Sequence, residues 1–309
     1  MKVFVAGPDA VSEVRGAVVA VGNFDGLHRG HLALFDAART AAAGGPVGVV
    51  TFEPHPVRVL APQLAPPLIL RVDEKERALR DLNIDVLYII PFDAALAALP
   101  PRPFIDDVLL KRLGAKGVVV GAGFRFGAKA KGSIADLRQA FGDLAIEVPV
   151  VHEGGLVCSS TRIRELVLQG LVDDAARLLG YPYFVEGAVV SGDARGRTIG
   201  IRTANVDSKR ELLPKVGVYA TRAVLPSGVV KGSVTNVGLR PTFDGTAKEI
   251  RIETHIFDLD ADLYGQRLRL EFVGRLRDEQ KFASVDALIA QIHVDIAAAK
   301  ALLAATPKG

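Results

Sequence analysis

Short apolar runs alternate with amphipathic segments through residues 1–182. The apolar runs occupy residues 17–21, 47–52, 86–90, 117–120 and 148–151. Apolar residues recur at helical spacing between them, in residues 31–43, 73–82, 104–113 and 133–141. A continuous apolar run is typical of a strand buried on both faces, and its alternation with helices is typical of a parallel sheet. The pattern therefore predicts an α/β domain over residues 1–182, with ligands at the carboxyl ends of its strands.

The pattern changes after residue 182 to strands separated by turns. Two helical segments, 160–169 and 172–179, come first, and each is followed by a glycine that can end it. The strand candidates are 185–191, 217–225, 229–237, 250–257 and 268–273. Short strands joined by turns favour an antiparallel barrel, and helical spacing returns in residues 284–303. Residues 183–309 are therefore predicted to form a second domain, a barrel with one C-terminal helix.

Composition narrows the class of protein. Of the 309 residues, 49% are hydrophobic and 24% are charged, with a net charge of +3, which suits a globular protein of about two domains. The sequence shows no basic cluster with interleaved aromatic residues, so we expect no nucleic-acid partner. We also expect a cytoplasmic protein without a membrane partner, because residues 1–10 lack the pattern of a signal peptide. The single cysteine, Cys158, fits a reducing compartment.

The segment between the first apolar run and the helical residues after it carries the clearest chemistry. It reads Gly22-Asn23-Phe24-Asp25-Gly26-Leu27-His28-Arg29-Gly30-His31. Backbone N–H groups at such a helix start attract phosphate. His28 and His31 fall on one face of the first turn, where both rings can grip one triphosphate. We therefore predict a nucleotide site formed by both histidines with Gly22, Asn23, Phe24, Asp25 and Gly30. The His-x-Gly-His pattern resembles the signature of the nucleotidyltransferase superfamily.

Further segments match one family in its order of domains. They are Thr51-Phe52-Glu53-Pro54-His55-Pro56, Phe124-Arg125-Phe126-Gly127, Ser159-Ser160-Thr161-Arg162-Ile163-Arg164 and Asn236-Val237-Gly238-Leu239-Arg240-Pro241-Thr242-Phe243. Together they resemble the bacterial bifunctional riboflavin kinase/FMN adenylyltransferases, over nearly the whole chain. The resemblance implies a Rossmann-like nucleotidyltransferase domain followed by a riboflavin kinase barrel. It also implies an enzyme that phosphorylates riboflavin to FMN and then transfers an adenylyl group from ATP to FMN, giving FAD and pyrophosphate.

For the first domain, the resemblance implies a site of adenylyl transfer. His28 and His31 would hold the ATP phosphates and stabilise the charge that builds on the α-phosphate. Ser160 and Thr161 would donate hydroxyls to phosphate and Arg164 would supply charge, although Ser and Thr at a helix start also serve as plain caps.

The same resemblance places the flavin ring near one group of side chains. They are Phe52, Phe124, Arg125 and Phe126. Aromatic residues at strand ends are more often part of a core, so the pattern by itself leaves both roles open for the three phenylalanines.

For the second domain, the resemblance implies a kinase site that binds ATP with Mg²⁺. Gly192 and Arg197 belong to a glycine-rich segment that can wrap phosphates. Thr203 and Asn205 would be oxygen ligands of Mg²⁺, which prefers hard oxygen donors. Glu253 would be the base that accepts the proton of the riboflavin 5′-hydroxyl. An alternating strand taken alone favours a plain outward-facing residue at Glu253, and only the position within the matched motif reverses that preference.

Three residues depart from the family pattern. Members commonly have Asn or Asp where this chain has Gly123, a basic residue where it has Val157, and proline where it has Arg202. The first two departures remove a hydrogen bond and a charge from the adenylyltransferase site, so we expect weaker affinity there for FMN or ATP. Arg202 frees φ beside Thr203, so the metal-binding loop is expected to be looser, or Arg202 contacts a phosphate itself.

Three alternatives to the bifunctional enzyme remain at this point. One activity alone would survive if Arg202 had disabled the kinase, or Gly123 and Val157 the adenylyltransferase. A flavin-binding regulator without turnover would need neither paired histidines nor a base. Nucleotidyl transfer to another acceptor, such as a pantetheine or sugar phosphate, fits the His-x-Gly-His pattern but leaves the second domain unexplained. The sequence leaves the oligomeric state open.

Overall fold

The computed structural model describes residues 1–7, 10–191, 201–241 and 248–306. The chain divides into two compact units, Met1–Ser160 and Thr161–Gly309.

Parallel strands form the main sheet of the first unit. They are β1 (Lys2–Val5), β2 (Val18–Val21), β3 (Val47–Glu53), β4 (Val86–Pro91), β5 (Gly117–Gly121) and β6 (Ala145–Val148). Their order across the sheet is β1-β4-β3-β2-β5-β6, and all the pairs are parallel. Strand β2 thus lies between β3 and β5, where the direction of strand progression reverses. Parallel sheets bind ligands beyond the carboxyl ends of the strands at such a reversal.

Helices connect these strands and cover the sheet. They are α1 (Arg29–Ala42), α2 (Pro56–Leu60), α3 (Val72–Asp81), α4 (Ala94–Ala98), α5 (Pro101–Pro103) and α6 (Ile134–Phe141), with a π-helical segment Phe104–Arg112 directly after α5. All four residues of β2 are buried, as a central parallel strand requires. A small hairpin of β7 (His152–Glu153) and β8 (Leu156–Val157) follows the sheet.

The second unit is a closed antiparallel barrel with helices before and after it. The helix α7 (Ser160–Gln169) begins at the last residue of the first unit, and α8 (Val172–Leu179) follows. The barrel strands are β9 (Phe184–Val190), β10 (Ala204–Ser208), β11 (Gly217–Val224), β12 (Val230–Pro241), β13 (Lys248–Ile256) and β14 (Arg267–Arg277). They close in the order β10-β13-β12-β11-β14-β9, so the described strands leave no open edge.

The last helix, α9 (Val285–Ala305), packs on the barrel. Its mean hydropathy of 1.5 and its length are sufficient for a membrane span. However, the buried carboxylate of Asp295 accepts hydrogen bonds from Arg277 Nε at 2.8 Å and Nη2 at 2.6 Å. Ala299 is fully buried in a cluster with Val218 and Ala220 of β11. The ion pair and this cluster attach one face of α9 to the barrel, whereas Val285 and Val294 of the same helix are exposed.

The fold class predicted from the sequence is confirmed, with local differences. The strand predicted at residues 148–151 was misplaced, because β6 is Ala145–Val148 and ends before Pro149, which lacks the N–H group that would continue the ladder. Strand β1 was not predicted, since it is a short edge strand whose Val3 and Val5 are exposed. Strand β10 was also missed, because its polar sequence resembles a loop.

Candidate functional site

The turn after β2 is held by side chains buried beneath it. The Asp25 carboxylate, 2% exposed, accepts hydrogen bonds from the backbone N–H groups of Ile69 and Leu70 at 3.0 Å each. The Thr51 hydroxyl, at the end of β3, donates to the Asn23 carbonyl oxygen at 3.0 Å. Both contacts shape the backbone, so they fix where the turn enters helix α1.

His28 is the N-cap of α1. Its Nδ1 accepts a hydrogen bond from the His31 backbone N–H at 3.3 Å. A neutral ring that accepts at Nδ1 carries its proton on Nε2, which makes Nε2 a donor suited to a phosphate oxygen. The rings of His28 and His31 are stacked, with centroids 3.6 Å apart and planes at 19°. The structure thus brings the two histidines together at the start of a helix, where N–H groups favour anions.

The environment of His31 favours its neutral form. Burial lowers the pKa of His31 well below 6.5, and the nearby charges of His28 and Lys75 lower this pKa further. Phe24 meets the His31 ring edge-on at 5.1 Å. The His31 Nδ1 atom is buried without a hydrogen-bond partner. A bound triphosphate would bring negative charge next to this ring, which is the change that favours its protonation.

Gly30 separates the two histidines where a side chain has no room. A Cβ at this position would lie 3.0 Å from the Cys158 carbonyl oxygen and 3.0 Å from His28 Nδ1. The backbone of the segment before α7 therefore approaches the first turn of α1 closely. Glycine is required here for space and not for an unusual φ.

The segment at the start of α7 also contacts the turn. The Ser160 hydroxyl donates to the Asp25 carbonyl oxygen at 2.8 Å, so it holds the backbone of the same residue whose carboxylate Ile69 and Leu70 contact. Thr161 is exposed and Arg164 is 9% exposed; both belong to the second compact unit. Their contact with phosphate stays a prediction.

The aromatic residues predicted near the flavin form a connected group in the first unit. Phe126 is 7% exposed and belongs to the core of the sheet. Phe124 is stacked with Phe126 at 5.9 Å between centroids. Phe52 and Phe124 are partly buried against the same core, and Arg125 is exposed. A contact of these side chains with a flavin ring stays a prediction.

The predicted kinase residues lie on adjacent barrel strands. Asn205 of β10 is directly opposite Glu253 of β13, and Arg251 Nη1 lies 3.2 Å from Glu253 Oε1. Thr203 and Asn205 line a cavity of about 230 Å³ that includes Thr254. The Asn205 Oδ1 atom is buried and accepts no hydrogen bond from the residues that the structure describes. Because an unsatisfied buried oxygen is unfavourable, this atom is suited to a ligand that supplies positive charge.

The remaining predicted positions differ in how far the structure describes them. Gly192 and Arg197 lie outside the described residues. Arg202 forms an ion pair with Asp260, and its carbonyl oxygen lies 2.8 Å from His255 Nδ1. Arg202, one of the three residues that depart from the family pattern, is therefore held through both its side chain and its backbone. Gly123 has φ +73° with open space around it.

One residue of the site went unpredicted. Lys75 of α3 is 7% exposed and donates from Nζ to the Asn23 carbonyl oxygen at 2.9 Å. The position of Lys75 within the helical spacing of α3 could have indicated that it is buried. Lys75 lies three residues after Val72 and four before the buried Leu79, where the spacing calls for an apolar residue.

Each unit matches a family of known proteins. The FAD synthetase family model matches residues 10–162, and the riboflavin kinase family model matches residues 179–303. The bifunctional riboflavin kinase/FMN adenylyltransferase of Escherichia coli strain K12 is 38% identical over 285 residues, which cover 91% of this chain and 90% of that protein. The protein of the same name from Bacillus subtilis strain 168 is 36% identical over 288 residues, covering 90% of each.

A solved structure agrees with these sequence matches. A crystal structure titled macrolide-efflux protein, from Streptococcus pneumoniae, superposes with a TM-score of 0.88 at 34% identity, covering 97% of this chain and 99% of that one. Both halves of the chain are therefore matched in sequence, and the whole chain is matched in fold. The chain belongs to the family of bifunctional riboflavin kinase/FMN adenylyltransferases.

Proposed function

We propose that the protein phosphorylates riboflavin to FMN with ATP and then adenylylates FMN with a second ATP to give FAD and pyrophosphate. One observation carries the proposal: the FAD synthetase match and the riboflavin kinase match fall on separate stretches, residues 10–162 and 179–303. Each stretch contains a cluster of residues suited to its reaction. We place the boundary between the two activities at residues 182 and 183, just before β9.

In adenylyl transfer, a phosphate oxygen of FMN attacks the α-phosphorus of ATP and pyrophosphate leaves. The protein's task is alignment and charge stabilisation, since no protein group needs to form a bond. His28, with its proton on Nε2, donates to a phosphate oxygen. His31 accepts a proton as the negatively charged triphosphate binds beside it. The backbone N–H groups at the start of α1 donate further hydrogen bonds to the phosphates. Phe52 and Phe124 offer ring faces to the flavin of FMN.

In the kinase reaction, the 5′-hydroxyl of riboflavin attacks the γ-phosphorus of ATP and ADP leaves. Glu253 accepts the hydroxyl proton as the new oxygen–phosphorus bond forms. Its register directly opposite Asn205 supports this role, and its neighbour Thr254 lines the same cavity as Asn205. The Arg251 guanidinium, 3.2 Å from Glu253 Oε1, holds the carboxylate at this position on β13.

The residues of the barrel cavity fit a magnesium ion. Thr203 and Asn205 offer a hydroxyl and an amide oxygen, the ligand type that Mg²⁺ prefers, and the Asn205 oxygen is buried and unsatisfied. Bound there with ATP, Mg²⁺ would neutralise charge on the phosphates. We infer that these two residues hold the ion.

The partners of this reaction pair are small molecules: riboflavin, FMN, FAD and ATP. The flavins are substrates and products. We propose a cytoplasmic location, because the single cysteine, Cys158, fits a reducing compartment.

A single assay tests the proposal. Purified protein is incubated with riboflavin, ATP and Mg²⁺, and flavins are separated over time by chromatography. We expect FMN to appear first and FAD to follow, and FMN supplied alone with ATP to give FAD directly. If FMN forms but FAD does not, the protein has the kinase activity only. If FAD forms only from supplied FMN, it has the adenylyltransferase activity only. The absence of both products would refute the proposal.

A further inference from the structure

Lys75 is a buried lysine in contact with the turn that precedes the two histidines. Its Nζ donates to the Asn23 carbonyl oxygen at 2.9 Å and to Thr51 Oγ1 at 3.3 Å. Thr51 Oγ1 donates in turn to the same carbonyl oxygen at 3.0 Å. Lys75, Thr51 and the Asn23 carbonyl therefore form a closed triangle of hydrogen bonds just beyond the carboxyl end of β2.

A charged group at this position is not explained by packing. Lys75 is 7% exposed, and it shares the buried face of α3 with Leu79, which is fully buried. An apolar side chain would cover the same surface without the desolvation that a buried ammonium group suffers. Burial lowers the pKa of Lys75, while the carboxylates of Asp25 and Glu53 raise it and so favour the charged form. The site thus retains a charge against an unfavourable environment, as functional positions do.

The helix that carries Lys75 holds the turn at a second point. The residues just before α3, Ile69 and Leu70, donate their N–H groups to the Asp25 carboxylate. Lys75 itself holds Asn23. Because Asn23 and Asp25 both precede His28, the position of α3 determines the direction in which the chain reaches both histidines.

We propose that Lys75 is a positioning residue for adenylyl transfer: its buried ammonium group fixes the Asn23 carbonyl, and thereby the path of the turn that carries His28 and His31 to the ATP phosphates. This inference rests on the adenylyltransferase activity proposed above.

The charge of Lys75 has a separate, measurable consequence. The groups around His31 are His28 on its own turn, Lys75 from α3, and Asp25 and Glu53 near that lysine. After burial and His28, Lys75 is the third cause that lowers the pKa of His31. Removing the charge of Lys75 therefore raises the pKa of His31, whereas removing only a hydrogen bond of the triangle does not.

The experiment compares three variants of the full chain. Lys75→Met removes the ammonium group with little change of volume. Thr51→Val removes a hydroxyl of the triangle and keeps the charge. Arg77→Met is the matched control, because it removes a cation from an exposed position of the same helix. For each variant we measure kcat for FAD formation from FMN, the riboflavin kinase rate, and the pKa of His31.

The pKa of His31 is measured without turnover. The protein is labelled with ¹³C-histidine, and the resonances of its 6 histidines are titrated by NMR, with His31 assigned by its loss in His31→Ala. We expect Lys75→Met to raise this pKa and to lower kcat by about 10²-fold, the effect typical of a misplaced catalytic group. Thr51→Val should lower kcat less and leave the pKa unchanged. Arg77→Met should change neither, and all three should keep the kinase rate.

Two results would overturn the inference: a wild-type kcat in Lys75→Met, or a pKa of His31 that Lys75→Met leaves unchanged. If Lys75→Met fails to fold, shown by a loss of helical circular dichroism relative to the wild-type protein, a wild-type kcat in Thr51→Val overturns it instead. Failure of the proposed function is a different result, since the wild-type protein would then form no FAD from FMN.

Discussion

Gly30 shows how a single position limits the chemistry of the first site. The His28 ring can cap α1 and stack on His31 only because no side chain projects from the residue between Arg29 and His31. A Cβ on Gly30 would press on the Cys158 carbonyl and the His28 ring at once. The carbonyl belongs to the backbone and cannot rotate away, so the imidazole must move.

Gly30→Ala should therefore lower the rate of FAD formation from FMN by about 10²-fold, because a displaced catalytic ring loses alignment with the phosphates. The riboflavin kinase rate should stay at the wild-type value. Gly7→Ala is the matched control, because a Cβ at Gly7 meets nothing within 4 Å. Wild-type FAD formation by Gly30→Ala would show that the contact between Gly30 and His28 is unimportant for the reaction.

The departures at Gly123 and Val157 lead to a prediction of improved substrate affinity, whereas Gly30→Ala is expected to lower activity. Gly123 has φ +73° and open space, a conformation that Asn tolerates better than most residues, and Val157 is 42% exposed. Gly123→Asn combined with Val157→Arg should lower the KM for FMN or ATP in FAD formation, by up to the roughly 1.5 to 3 kcal/mol of a charged hydrogen bond. Kinase constants should not change. An unchanged or higher KM for both substrates would indicate that other residues, such as Arg125 or Lys129, already fill these roles.

At the scale of elements, strand β10 supplies the proposed kinase site with an oxygen that is unfavourable for folding. A buried polar atom without a partner costs about 1–3 kcal/mol, and Asn205 Oδ1 is such an atom. The register of β10 places Asn205 directly opposite Glu253, the proposed base. Stability and function thus make opposite demands on this side chain.

Asn205→Ala should raise the Mg²⁺ concentration that gives half the maximal kinase rate, because it deletes an oxygen ligand. It should not lower the free energy of unfolding measured without Mg²⁺ and ATP, since it also removes the unsatisfied atom. Asn205→Asp is the control that keeps an oxygen, and it should need no more Mg²⁺ than Asn205→Ala. An unchanged Mg²⁺ dependence in Asn205→Ala would exclude this residue as a ligand.

The sequence predicted the structural features that depend on residues close together in the chain. It missed the contacts that join residues far apart in the chain. The strand, turn and helix around His28 follow from a local pattern of apolar residues and glycines. The contacts of Asp25 with Ile69 and of Lys75 with Asn23 join residues 44 and 52 positions apart. No periodicity reports such pairs, although a lysine in an apolar position of α3 indicates that a partner exists. Strand β10 was missed because its ladder partners, and not its composition, make it a strand.

For the whole molecule, the two residue pairs proposed for the two reactions lie in separate compact units. His28 belongs to Met1–Ser160 and Glu253 to Thr161–Gly309. Both members of each pair lie in the same unit: His28 stacks on His31, and Glu253 is paired opposite Asn205. The intermediate FMN is a product of one site and a substrate of the other, so the two activities can be separated by substitution and then recombined.

His28→Ala should abolish FAD formation from FMN and leave riboflavin phosphorylation intact, so that FMN accumulates from riboflavin. Glu253→Gln should lower the kinase rate by at least the roughly 10²-fold expected for loss of a general base, while FAD still forms from supplied FMN. A mixture of the two folded variants should convert riboflavin to FAD after a lag that shortens as either is increased, because FMN released by His28→Ala reaches the intact site of Glu253→Gln through solution. Flavins separated by chromatography over time measure all three reactions. Loss of both activities in folded His28→Ala would contradict the assignment of the two sites to separate units.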